Sequence, residues 1–203
     1  MDSTKTIDAT DVIAGADCVR RTLGRAAERD WSAAQVPHLS WTVAQTVAHT
    51  AEAVLWCGVD LSAAGAEIRA LRLRVDSEAA PDELLRTIGG VAQTLAYVVR
   101  AAPPGARGFD PDGPTDASGF AAMGCDELLI HGWDAGRGLG VELQPDERPP
   151  CPGSRDRGGG GGTSPRWPTG PARHQPPDIR RSGVARPSTH TPATRKSCAI
   201  GTH

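Results

Sequence analysis

No stretch of the 203 residues approaches the roughly 18 consecutive apolar positions of a membrane span. The N-terminus, MDSTKTIDATDV, has neither the basic start nor the apolar run of a secretory signal. Cysteine is sparse: Cys18, Cys57, Cys125, Cys151 and Cys198 are scattered, odd in number and never form a C-x-x-C pair. That pattern argues against both a disulfide framework and a cysteine-built zinc site. The expectation from these absences is a soluble cytoplasmic protein with no membrane partner.

Large aliphatic residues are missing from one end. Residues 149–203 hold 9 Gly and 10 Pro, no Leu or Phe, and only Ile179, Val184 and Ile200 from the large aliphatic set. Such a segment cannot bury enough apolar surface to offset the entropy of ordering it, so it reads as a disordered tail behind a folded domain over 1–148. Charge divides at the same place. Residues 1–148 carry 13 Lys and Arg against 22 Asp and Glu, a net of -9, while 149–203 carry 9 against 2, a net of +7. The basic tail offers only Trp167 for stacking and no basic helix, so no nucleic-acid partner is expected. Gly, Pro, Arg, Ser and Thr are also what GC-rich coding DNA yields out of frame, and the tail is read as the product of a frameshift or a truncated gene. Another frame of the gene that continues as an ordered, Leu- and Trp-containing domain would bear this out; none doing so would refute it.

What is present before the tail is helical spacing. Residues 11–28 repeat Val12, Ala16, Val19, Leu23 and Ala26 at steps of three or four, with Thr10 as the expected N-cap. Ser40 is the expected cap of a second helix over 41–61, striped by Val43, Val47, Ala51, Val54, Gly58 and Leu61. A third begins at Pro81, with Asp82 and Glu83 at its positive end. Its stripe of Leu84, Leu85, Ile88, Val91, Leu95, Val98 and Val99 stops at Pro103 and Pro104. Between them, ALRLRV (70–75) reads as an extended connection laying one side on the bundle rather than as a strand. After a Pro- and Gly-rich loop, Asp116 caps a fourth helix that Gly138 and Gly140 close.

The fourth helix, in GCDELLIHGWDAGRGLG, carries an acid and an imidazole among apolar residues. At about 100° per residue, Phe120 and Gly138 fall within about 20° of Glu127, Met123 and His131 within about 40°, and Ile130 and Gly124 near 60°. Glu127 and His131 are therefore expected on the core-facing arc, one turn apart, as two metal ligands from one helix require. Spacing alone leaves an ordinary Glu-His surface pair as the alternative. His49, on the second helix beside Ala53, Trp56 and Asp60, is the candidate third ligand if helices two and four are neighbours. Two imidazoles and a carboxylate suit zinc and leave a fourth position open. Asp134 is either a group that orients His131 or a helix-end surface acid. His38, in a loop, is expected at the surface.

WSAAQVPHLSWTVAQTVAHTAEAVLWCGVDL followed by ARGFDPDGPTDASGFAAMGCDELLIHGWDAGRGLG closely resembles the N-terminal metal-binding domain of the mycothiol-dependent maleylpyruvate isomerase family, within the DinB-like superfamily. The resemblance covers residues from about 10 to 148, and VAHTAE and DELLIHGWD are its most specific parts. It implies an all-α, DinB-like four-helix bundle with His49, Glu127 and His131 as the metal triad and zinc as the usual ion. It further implies a small thiol, mycothiol, as cofactor and a small electrophile as substrate, for isomerisation or S-transfer. Members of the family usually continue into a second, mixed α/β domain. Where they do, this chain has the Gly-, Pro- and Arg-rich tail, and the alternative expectation is a metal-binding module without turnover.

Overall fold

A computed structural model describes residues 6–143. The tail expected over 149–203 lies outside them, as do Cys151 and Cys198. The described chain is an all-α four-helix bundle: α1 (Ala9–Gly24), α2 (Val43–Ser62), α3 (Pro81–Ala101) and α4 (Ala117–Gly138), with two short strands, β1 (Arg107–Gly108) and β2 (Thr115–Asp116), before α4. Among the described residues no helix is long and apolar enough to cross a membrane.

The expected stripes are the core. Val12, Ala16, Val19 and Leu23 of α1, Val43, Val47, Ala51, Val54 and Leu61 of α2, and Leu84, Ile88 and Leu95 of α3 are all buried. Each fully buried large aliphatic side chain contributes about 1.5–3 kcal/mol. At the end of α3 the pattern overreaches, because Val98 and Val99 are only half-buried. Pro81 and Asp116 open α3 and α4 as expected, and Asp116 accepts from the Gly119 amide.

Two caps differ from expectation. α1 is capped by Asp8 rather than Thr10, because Asp8 and Asp11 satisfy each other's amides in a capping box. Likewise α2 is capped by Thr42 paired with Gln45, not by Ser40. In both cases an acceptor two residues away had a partner at the third helical position, and the reciprocal pair satisfies two orphan amides instead of one. α1 also ends earlier, at Gly24.

α1 and α2 each pack against both α3 and α4, so α1 lies diagonal to α2, and α3 to α4. That arrangement makes α2 and α4 neighbours. The segment 25–42 spans the diagonal and is no loose loop. Trp31 is buried and its indole Nε1 donates to the Ala26 carbonyl at 2.9 Å. Amides of Val43 and Ala44 donate to the carbonyls of Ala34 and Trp31 at 2.8 and 3.0 Å, and that of Val36 to Trp41 at 3.0 Å. Trp41 is thereby fixed just ahead of α2.

Residues 70–75 are extended without forming a strand, with Leu71, Leu73 and Val75 half-buried and Arg72 and Arg74 exposed. Glu52 of α2 holds this strap by accepting from the Val75 amide at 2.7 Å. The hairpin pairs Arg107 with Asp116 and Gly108 with Thr115.

Candidate metal centre

α4 turns its smallest residues inward. Ala121, Gly124, Cys125, Leu128, Leu129, Gly132, Ala135 and Gly136 are buried. A Cβ on Gly132 would stand 2.6 Å from Val19 Cγ2, and one on Gly124 2.4 Å from Leu95 Cδ2. Close approach of α4 to α1, and the seating of Leu95 from α3 against α4, thus depend on absent side chains. The true core face is centred on Leu128, roughly 100° from Glu127. The expectation that Met123 and Ile130 share an inward arc with Glu127 fails: they are 36% and 48% exposed. They lie on the opposite side of Glu127 from His131 and Gly124, a distinction an unsigned angle cannot make.

Glu127 and His131 therefore sit on the flank of α4 that meets α2, half-buried rather than in the core. There the structure brings His49 to them. One potential ligand atom each from His49, Glu127 and His131 lies within 4.8 Å of the others. The imidazoles of His49 and His131 meet edge to face, centroids 5.2 Å apart, and the rings of Trp41 and His49 are likewise inclined, centroids 4.8 Å apart. No pattern in the sequence singles out Trp41. Expected as the first residue of the second helix, it instead precedes α2, which begins at Val43, so no helical periodicity links it to His49.

His131 Nε2 stands 3.3 Å from Glu127 Oε2, and Nδ1 stands 3.8 Å from Asp134 Oδ2. Neither contact has hydrogen-bond geometry: Glu127 Oε2 and His131 Nδ1 are buried and without a hydrogen-bond partner. Buried polar atoms left so are costly. Burial alone would depress the His131 pKa, but Asp134 and Glu127 outweigh it and raise the imidazole to about 9. At 3.8 Å the Asp134 contribution is attraction between charges. Burial likewise pushes Glu127 up, and the attraction of His131 and His49 more than reverses it, leaving the carboxyl below its usual range. Asp134, with a side chain 21% exposed, faces His131 and is not a surface acid.

Cys57 lies near enough to feel Glu127. Burial, then the charges of Glu127, Asp60 and Asp110, push its thiol up to about 12, so it stays protonated and is no nucleophile. Cys18 and Cys125 are also buried, and no disulfide forms among the described residues. His38 is exposed, with a positive φ of 69°, and plays no part in the cluster.

A cavity of about 60 Å³ lined by Asp126, Glu127, Ile130 and His131 adjoins the centre. It has room for an ion and a little water. A larger cavity, about 310 Å³, lies between Leu55, Gly58, Ile68 and Val98. No ionisable group lines it, and it shares no lining residue with the smaller cavity.

Residues 13–136 match the family described as the mycothiol maleylpyruvate isomerase N-terminal domain. No curated protein and no solved structure matches the chain.

Proposed function

Because the chain belongs to the mycothiol maleylpyruvate isomerase N-terminal domain family, we propose that His49, Glu127 and His131 bind one divalent metal ion, zinc foremost. On this reading a small thiol of the mycothiol type binds at the loaded centre, in the cytoplasm, and a small electrophile undergoes isomerisation or S-transfer. The observation that carries it is the convergence of three ligand atoms from two helices within 4.8 Å, two of the residues holding a buried, unpartnered polar atom. Two nitrogens and a carboxylate oxygen match the donor preference of zinc.

When bound, such an ion supplies a Lewis acid that lowers the pKa of a coordinated thiol or water. The chain's own groups do the rest. Glu127 brings the negative charge that offsets part of the cation's. Asp134, facing Nδ1 of His131, favours the tautomer with its proton on Nδ1, leaving the Nε2 lone pair toward Glu127. Trp41 walls one side of His49 and limits its rotation. Cys57, held protonated, does not compete with an incoming thiol.

A second reading, a metal-binding module without turnover, is favoured by the small cavity, whose roughly 60 Å³ leaves little room to enclose an organic electrophile together with a thiol. Titrating cobalt-loaded protein with a small thiol separates the two. The proposed activity requires saturable growth of a thiolate-to-cobalt absorption band. A loaded protein blind to thiol leaves the module alone, and failure to bind cobalt or zinc ends both readings.

The raised pKa of His131 sets a pH dependence. Below about 9 the metal-free imidazole carries a proton that a metal must displace. Affinity measured in metal buffers is therefore expected to climb roughly tenfold per pH unit as pH rises toward that value, then level off. The metal-free protein should behave oppositely. A folded pKa above the ordinary 6.5 means the imidazolium's stabilisation is complete below 6.5 and lost as pH rises through about 9. Its melting temperature should fall over that window. A flat profile in both measurements would contradict the charge pairing described.

A further inference from the structure

The outward face of α4 carries a stripe that supplies neither core residues nor any of the three candidate ligands. Met123, Asp126, Ile130, Trp133 and Arg137 follow one another at steps of three, four, three and four, and all are exposed. Ile130 and Trp133 are 48% and 46% accessible, unusual for two large apolar groups one turn apart on a helix. The guanidinium of Arg137 stacks 4.8 Å over the Trp133 ring, extending the apolar platform with a charged end. This alternation of three and four is the seam spacing of paired helices.

The seam is complementary to itself. If α4 is laid antiparallel on a second α4 about a two-fold axis between His131 and Gly132, Ile130 falls opposite Trp133, and Asp126 opposite Arg137. Met123 falls opposite the end of the partner's α4, where the helix stops at Gly138. Both charge pairs and both apolar pairs form at once, because one midpoint relates them all. A parallel alignment would place Asp126 against Asp126 and Arg137 against Arg137. From this register we infer that the α4 face is an interface between two copies of this chain, packed antiparallel about a two-fold axis.

The seam lies about 80° around the helix from Glu127. A second copy therefore flanks the metal centre, meeting Asp126 and Ile130 at the cavity's wall on the side away from α2. None of the three candidate ligands belongs to the seam, so the inference stands apart from the proposed function. From Met123 to Arg137 the seam is about 21 Å long. An interface of that size is small, and a dissociation constant on the order of 10 µM is expected.

Sedimentation equilibrium of the full chain, with and without chelator, tests this. The expected result is a reversible monomer-dimer equilibrium in both conditions. Asp126→Arg and Arg137→Asp should each weaken it at least tenfold, and the double exchange should restore it to within about threefold. Trp133→Glu should abolish dimers while leaving the far-ultraviolet circular dichroism unchanged. A protein monomeric at 500 µM, or a dimer indifferent to both charge reversals, would overturn the inference.

Discussion

Replacing His49 with alanine is expected to eliminate stoichiometric retention of metal by the purified protein. Loss of a group that merely supports a ligand costs about 10–100-fold in metal affinity, so loss of one ligand in three should cost more than about 100-fold. His49 lies on α2 and the other two candidates on α4, so the substitution leaves their Glu-His pair in place. If that pair were purely structural, or bound metal without α2, the variant would hold metal as the unaltered chain does. His38→Ala is the control: an exposed loop histidine outside the cluster, its removal should leave affinity unchanged. Metal content after dialysis, with competition against a chromophoric chelator, reads both variants. Equal affinity for the two would remove the centre proposed here.

A second large effect is expected at Gly108, where the hairpin meets the bundle. A Cβ there would stand 2.4 Å from Phe120 Cε2, 2.6 Å from the Asp60 carbonyl oxygen and 2.6 Å from Leu61 Cα. Two of those neighbours are backbone atoms of α2, and Phe120 is fully buried, so little can yield. Gly108→Ala should destabilise the fold by about 3 kcal/mol, the upper end of ordinary overpacking. That corresponds to a fall of roughly 10 °C in melting temperature for a domain of this size. Gly90 makes the opposite case: it is exposed within α3, and a Cβ added there would meet no atom within 4 Å. Gly90→Ala should stabilise by about 0.5–1 kcal/mol through helix propensity. Thermal or urea unfolding of the two variants decides the matter, and similar shifts of the same sign would refute the packing account.

Much of the bundle was legible in the sequence, because its signals are local. Pro81 and Asp116 start helices through the chemistry of the first turn, and the stripes of α1, α2 and α3 record which side of each helix avoids water. Where reading failed, two local solutions competed. Thr10 and Ser40 are competent caps, but Asp8 and Thr42 have reciprocal partners in Asp11 and Gln45. α4 was harder. Its inward face is built largely of Gly and Ala, which carry almost no hydrophobic signal while deciding how closely helices approach. The exposed Met123, Ile130 and Trp133 meanwhile imitate a core stripe.

The sequence by itself determined four helices, the family, and the i, i+4 placement of Glu127 and His131 on one face of α4. Only the tertiary structure decided that α2 and α4 are neighbours, which brings His49 to that pair, and that Trp41 closes on His49 from outside the helix. It also decided that Glu127 lies on a flank rather than in the core, and that Asp134 faces His131. The physical reason is common to all of these. Spacing along a helix fixes the angle between two of its side chains, whereas what each side chain meets depends on which helices pack together, and how closely their smallest residues let them.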